Sequence, residues 1–198
     1  MKRMHALIVT VFGIVLSACA GVPVTDNYYS LVLAANHTSE PIASILVQPR
    51  VTVGPVELPS YLAQRAMVMQ SGSNQIRAAN HHFWAEPLDE AIAKVLVRDI
   101  SRLSGGVVVE RDFSRRAGSA NCRLRFVFDS FHATSQSNVV ASGRYWLTSS
   151  EPIVAKEFKL TRGLTEDGYS HAVTILRGVL LELAESVAET LQGNSNCQ

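Results

Sequence analysis

Cys19 is the residue of this 198-residue chain whose setting points most clearly to a chemistry. It ends the run Leu16-Ser17-Ala18-Cys19, which follows an apolar stretch from Ala6 to Leu16 and a positive start at Lys2, Arg3 and His5. Charged, apolar and small-residue segments in that order make a secretory signal. The cysteine directly after Ser-Ala predicts cleavage before it and acylation of its sulfur. The apolar stretch falls short of the roughly 20 residues that a spanning helix requires. Each buried methylene adds about 0.8 kcal/mol, so two or three acyl chains hold a protein to a bilayer where one does not. Ala20 stands where an aspartate would mark retention at the inner membrane, and so favours the outer membrane. Residues 1–18 are therefore read as signal peptide and residues 19–26 as a lipidated cysteine with a short tether. Residues 27–193 form the domain and 194–198 a C-terminal tail, with the body held on the periplasmic face.

Other reactive side chains do not assemble into a catalytic pattern. Ser71-Gly72-Ser73 reads as a polar turn rather than a nucleophile elbow. Gly105-Gly106 reads as a helix stop, not a phosphate cradle. His81 and His82 are adjacent, which on an extended chain aims the two rings to opposite sides, whereas metal ligands must converge. They read as solvated loop histidines, as do the isolated His132 and His171. Glu86 and Asp89 suit a helix start, where carboxylates complement the macrodipole. No catalytic residue, metal or cofactor is expected, and the chain reads as a non-enzyme. A net charge of +1 supplies no basic field for nucleic acid.

Cys122 and Cys197 remain as an even pair in an oxidising compartment. A bridge between them would stabilise by about 4 kcal/mol through loop closure. The tail position of Cys197 and the small apolar character of Cys122 leave the pairing open.

The elements follow from periodicity. Leu88, Ile92, Val95, Leu96, Ile100 and Leu103 recur at helical spacing opposite Glu90, Lys94, Arg98 and Arg102. Pro87 suits the first turn of that helix and Gly105 its end. A second helix is predicted over 170–192, striped by Leu176, Val179, Leu183, Val187 and Leu191. Strands are predicted over Tyr28–Leu33, Ile45–Gln48, Ala66–Gln70, Gln75–Ala79, Val107–Glu110, Cys122–Phe128, Val139–Thr148 and Ile153–Leu160. With no linker to divide it, the chain reads as one α+β domain. Its sheet is expected to be mostly antiparallel, with two main helices packed on one face.

Two segments stand between the first strands and the first helix. Val51 to Leu62 carries Gly54, Pro55 and Pro59 among apolar residues. Prolines fix φ and lack a donor, so this reads as a stiff extended edge or loop, with Leu58, Tyr61 and Leu62 packing on the sheet or offered to a partner. Phe83-Trp84-Ala85-Glu86-Pro87-Leu88 runs an aromatic pair into the helix start. Trp84 there reads as a staple against the first turn or, in the alternative, as an interface residue.

The lipobox, Tyr28-Tyr29-x-Leu31, Val53-Gly54-Pro55-Val56-Glu57-Leu58-Pro59-Ser60-Tyr61-Leu62 and Trp84-Ala85-Glu86-Pro87-Leu88 occur in that order. Together they resemble the PqiC (YmbA-like) lipoproteins, also described as auxiliary lipoprotein components of ABC-type transporters. The likeness spans nearly the whole mature chain. Relatives often carry an acidic residue after the Tyr-Leu pair, where this chain has Ala63-Gln64 before Arg65, so no salt bridge to Arg65 is implied. The resemblance implies a non-enzymatic part in envelope lipid traffic. Its implied partners are a periplasmic MCE-domain protein, whose tunnel bridges the two membranes, and that protein's membrane-spanning partner. Outer-membrane phospholipid and assembly into a homo-oligomeric ring are implied as well. On that reading Pro59, Tyr61, Leu62, Trp84, Glu86, Pro87 and Leu88 are partner-contacting or structural motif residues. The alternative is a stand-alone tethered periplasmic lipid carrier or chaperone, which would need an apolar cavity between sheet and helices.

Overall fold

The computed structural model describes residues 24–33, 50–105, 107, 109–111, 120–149 and 153–197. The signal segment, Cys19 and the strand expected over Ile45–Gln48 lie outside the described residues. Eight strands form one sheet: β1 (Asn27–Tyr29), β2 (Val51–Glu57), β3 (Ala66–Gly72), β4 (Gln75–Trp84), β5 (Val109–Arg111), β6 (Cys122–Thr134), β7 (Asn138–Thr148) and β8 (Val154–Gly163). Two helices, α1 (Leu88–Leu103) and α2 (Tyr169–Gln192), and a 3-10 turn at Ser195–Cys197 complete it.

Strand β6 organises the sheet because its alternation is the strongest in the chain. Leu124, Phe126 and Phe128 are buried on one face, while Arg123 and Arg125 are exposed on the other. Burying each such Leu or Phe is worth about 1.5–3 kcal/mol. On β7, Ala141, Tyr145 and Leu147 continue the buried face. Helix α2 covers it: Tyr145 Oη lies 2.9 Å from Thr190 Oγ1, and Arg162 of β8 pairs with Glu182. Helix α1 packs beside α2 and over β2 and β5. Its end agrees with the sequence, since Gly105 just beyond it takes φ +66°, the left-handed conformation that glycine adopts freely.

The fold is α+β with both helices on one face. The longest ladders, β6/β7 and β7/β8, are antiparallel. Shorter parallel pairings join β1 to β4, β2 to β5 and β6, and β3 to β6. One rim of β6 is taken by β7 along its length. The other is shared, with β2 on Cys122–Val127 and β3 on Ala133–Thr134. Between these pairings β6 bulges at Phe128/Ser130, and the 58–65 segment leaves the sheet. Tyr61 Oη donates to the Asp129 carbonyl at 2.9 Å across that gap. Gly143 faces the bulge, where an added Cβ would sit 2.1 Å from the Val127 carbonyl oxygen.

Several elements depart from the periodicity. β2 is not an edge: it lies between β5 and β6. Pro55 is tolerated there because the register shifts between Val53 and Val56, so its missing donor falls where the ladder is already broken. Gly54 brings its backbone close to β6, with the Leu124 oxygen 3.3 Å from an added Cβ. β1 stops at Tyr29, because Ser30 Oγ accepts the Val32 and Leu33 amides at 3.2 and 3.3 Å and turns the chain. β4 runs on to Trp84, taking in His81 and His82, which are therefore strand and not loop residues. The segment after α2 is folded onto the domain, with Cys197 fully buried.

Candidate functional site

Pro59 and its neighbours form a turn rather than a presented edge. The Pro59 carbonyl accepts the Leu62 and Ala63 amides at 2.9 and 3.2 Å. Leu62 is buried, and Tyr61 leans on the His132 ring. Glu86 pairs with Lys94, Pro87 caps α1, and Leu88 is buried beneath the helix start. Arg65 lies over the rings of Tyr28 and Phe83, at 4.9 and 5.7 Å, so a cation–π contact occupies the place where a salt bridge was not implied. Cys122 and Cys197, whose pairing the sequence leaves open, are joined with a Cα separation of 5.5 Å. The bond ties the start of β6 to the end of the chain.

Trp84 does not simply staple α1. It forms part of the floor of a cleft of about 310 Å³ between the first turns of α2 and the sheet. Met67, Trp84, Phe131, Ala172 and Leu176 make the buried floor, and Ser135, Ser137, Asp167 and Gly168 the exposed rim. The volume lies at the lower end of small-molecule sites and about twofold above a cavity that already admits benzene. Methionines on the wall let it adapt to irregular apolar guests. Asp167 is the one permanently charged group among the described lining residues.

His132, expected in solvent, is 5 % exposed and also lines the cleft. It follows Phe131 because the β6 alternation resumes, one residue out of step, after the bulge. Burial lowers its pKa from 6.5, partly offset by the hydrogen bond between Nδ1 and the Ala133 carbonyl at 3.1 Å. The ring is therefore neutral at pH 7. A bulge signal in the sequence, Asp129-Ser130 between two aromatic positions, was the cue available for it.

The adjacent histidines do diverge as strand geometry requires. His81 Nδ1 meets Asp26 Oδ1 at 3.0 Å on one side. On the other, His82 stacks on Tyr169 at 3.8 Å and 17°, and its Nδ1 lies 2.8 Å from Tyr29 Oη. These contacts fasten β1 and the start of α2 to β4. β1 is parallel to β4, with Asn27 opposite His82, so Asp26 and Thr25 lie toward the β3–β4 turn. The β6–β7 turn is at that same end, because β3 and β6 are parallel, and the segment before α2 runs from Leu164 at that turn back to Tyr169 on His82. The residues before β1 thus run from the His81–His82 level toward the end where the cleft has its rim.

Among the described residues no group of three or more His, Cys, Asp or Glu could hold a metal ion, and no described helix is long and apolar enough to cross a membrane. The arrangement can receive an apolar guest.

Comparison with known proteins agrees with that chemistry. A family model described as "ABC-type transport auxiliary lipoprotein component" matches residues 29–188. The chain is 29% identical over 192 residues to the "Intermembrane transport lipoprotein PqiC" of Escherichia coli (strain K12), covering 96% of this chain and 98% of that protein. The Shigella flexneri protein of the same name matches equally. Among solved structures, that of an uncharacterized protein superposes with a TM-score of 0.71 at 28% identity, covering 85% of this chain and 99% of the other. A Xanthomonas campestris protein shares the fold at a TM-score of 0.58 and 13% identity, over 83% of this chain and 90% of its own.

Proposed function

Because the chain belongs to the ABC-type transport auxiliary lipoprotein component family, we propose that it works as the outer-membrane end of an MCE-type intermembrane lipid transport system. In this reading it docks the periplasmic tunnel of an MCE-domain partner to the outer membrane as a homo-oligomeric ring. The family is one of transport auxiliary lipoproteins, not of enzymes. The observation that carries the proposal is the likeness to an intermembrane transport lipoprotein over nearly the full length of both chains. The site supports it, since an apolar cleft with a neutral wall suits lipid handling and not bond breaking.

Anchoring belongs to the same proposal. Cys19, acylated, holds the domain on the periplasmic face, and the short tether keeps it near the bilayer. The experiment is a solution mass and a pull-down on the mature protein with the MCE-domain protein encoded beside it. A ring that captures that partner is expected, along with incorporation of labelled palmitate that a Cys19→Ser variant abolishes. A strict monomer that ignores the partner would overturn the docking role. The cleft favours a second reading, a tethered lipid carrier, which would instead purify as a monomer with lipid detectable by mass spectrometry.

A further inference from the structure

The tether and the cleft have a fixed relationship that assigns the cleft an occupant. Asn27 lies opposite His82, and seven residues of β4 separate His82 from Gln75 at the β3–β4 turn. β4 carries three extra residues against β3 between the Ala66–Phe83 and Val68–Ala78 pairs, so the distance follows β3 from Met67 to Gly72, about 16 Å at about 3.3 Å per residue. Residues 19–26 number eight and span at most about 28 Å when fully extended. Asp26, held to His81, and Thr25 before it lie toward the turn. An acylated Cys19 can therefore reach the level of the β3–β4 turn. A bilayer lying against that end of the domain is within reach of the anchor.

That end carries the rim of the cleft. Ser135 and Ser137 of the β6–β7 turn are exposed there, Asp167 and Gly168 are exposed on the segment leading from that turn to Tyr169, and the floor descends to Trp84 at the far end of β4. Val24 and Ile76, both exposed large apolar side chains, lie toward the same end, as an apposed headgroup layer would permit. We propose that the cleft takes up one acyl chain of a phospholipid from the leaflet in which Cys19 is anchored. The inference rests on the lipidation reading above and adds an orientation and a ligand to it. The chain would lie along Met67, Phe131 and Leu176 and end against Trp84. Among the described residues the rim bears no lysine or arginine to hold an anionic head, and its carboxylate, Asp167, fits an ammonium. The favoured ligand is accordingly a zwitterionic, ethanolamine-type phospholipid.

The test uses the mature acylated protein in vesicles of phosphatidylethanolamine and phosphatidylglycerol. The chain has two tryptophans, and Trp146 lies half-buried on the opposite sheet face between Arg125 and Arg144. Trp146→Phe therefore leaves Trp84 as the sole reporter. Phosphatidylethanolamine brominated along its acyl chains should quench Trp84 at least twofold. In the same background, Ala172→Phe from the helix side, or Ala133→Leu from the sheet side, should abolish the quenching. Two variants from opposite walls guard against one that fails to fold, and circular dichroism checks each. Flotation with the vesicles reports anchoring separately. Anchored protein whose Trp84 is unquenched would overturn the proposal while leaving lipidation intact. Quenching that survives both filled variants would remove the cleft as its locus, and equal quenching by brominated phosphatidylglycerol would overturn the headgroup assignment. Protein that does not float would overturn the lipidation reading and this proposal with it.

Discussion

Asp99 of α1 and Arg177 of α2 meet across the helix interface, Oδ2 to Nη2 at 2.5 Å, with their side chains 3 % and 10 % exposed. The approach is too oblique for a well-directed hydrogen bond, and Arg177 Nε and Arg98 Nη2 are buried without a partner among the described residues. Burial lowers the Arg177 pKa from its ordinary value, against the opposing pull of Asp99. The pair is an imperfectly satisfied charge contact inside an otherwise apolar seam.

Removing one partner should therefore cost more than removing both. Asp99→Ala strands the guanidinium and is expected to lose about 3–5 kcal/mol of stability. Asp99→Leu combined with Arg177→Met should recover most of that loss. Urea denaturation of the three proteins measures the difference. A single variant no less stable than the double would show that the pair is solvated.

The Cys122–Cys197 bond encloses 75 residues of sequence separation. Loop-closure entropy gives it about 4 kcal/mol. For a domain of this size that corresponds to a fall in Tm of about 10 °C on replacing both cysteines by alanine. Calorimetry with and without reductant should show the same drop in the native protein and none in the variant.

His132 sets a pH dependence whose sign is fixed. Its folded pKa lies below 6.5, so the unfolded chain binds the proton more readily. The stabilising contribution is complete above about pH 6.5, declines as pH falls from there toward the folded value, and changes no further below it. His132→Gln should flatten the stability profile between pH 7 and 5. An unchanged slope in that variant would place the titration elsewhere.

Gly143→Ala should be among the most damaging small substitutions in the chain. The added methyl would meet the Val127 carbonyl at 2.1 Å in a bulge that two other strands hold in place. A loss above about 4 kcal/mol is expected. Gly163→Ala, at the end of β8 with nothing within 4 Å of the new Cβ, should be close to neutral. Denaturant midpoints of the two variants provide the comparison.

Much of this architecture was legible because it is local. Both helices declare themselves by 3.6-residue stripes and glycine stops, and Cys122 to Phe128 by strict alternation. What escaped depends on partners distant in sequence. The polar look of Asn80-His81-His82 hid the second half of β4, since those rings are satisfied by Asp26, Tyr29 and Tyr169. Pro55 suggested an edge because a proline says nothing of a register shift that excuses it. Asp99 and Arg177 are 78 positions apart and become partners only where the two helices meet. Leu62 and Trp84 were marked as notable from sequence, yet the gap beside Trp84 arises from how α2 sits on the sheet, which no periodicity records.

The divided rim of β6 has a mechanical consequence. The leaf made by β1, β3 and β4 is in register with the rest of the sheet at two rungs, Met69 with Ala133 and Gln70 with Thr134. Its remaining ties to the body include the Tyr169–His82 stack. A leaf so lightly hinged can swing as a unit, lifting Met67 and Trp84 away from α2 without disturbing the disulfide or the helix seam. Backbone amides of β4 should accordingly exchange with deuterium sooner than those of β6 and β7.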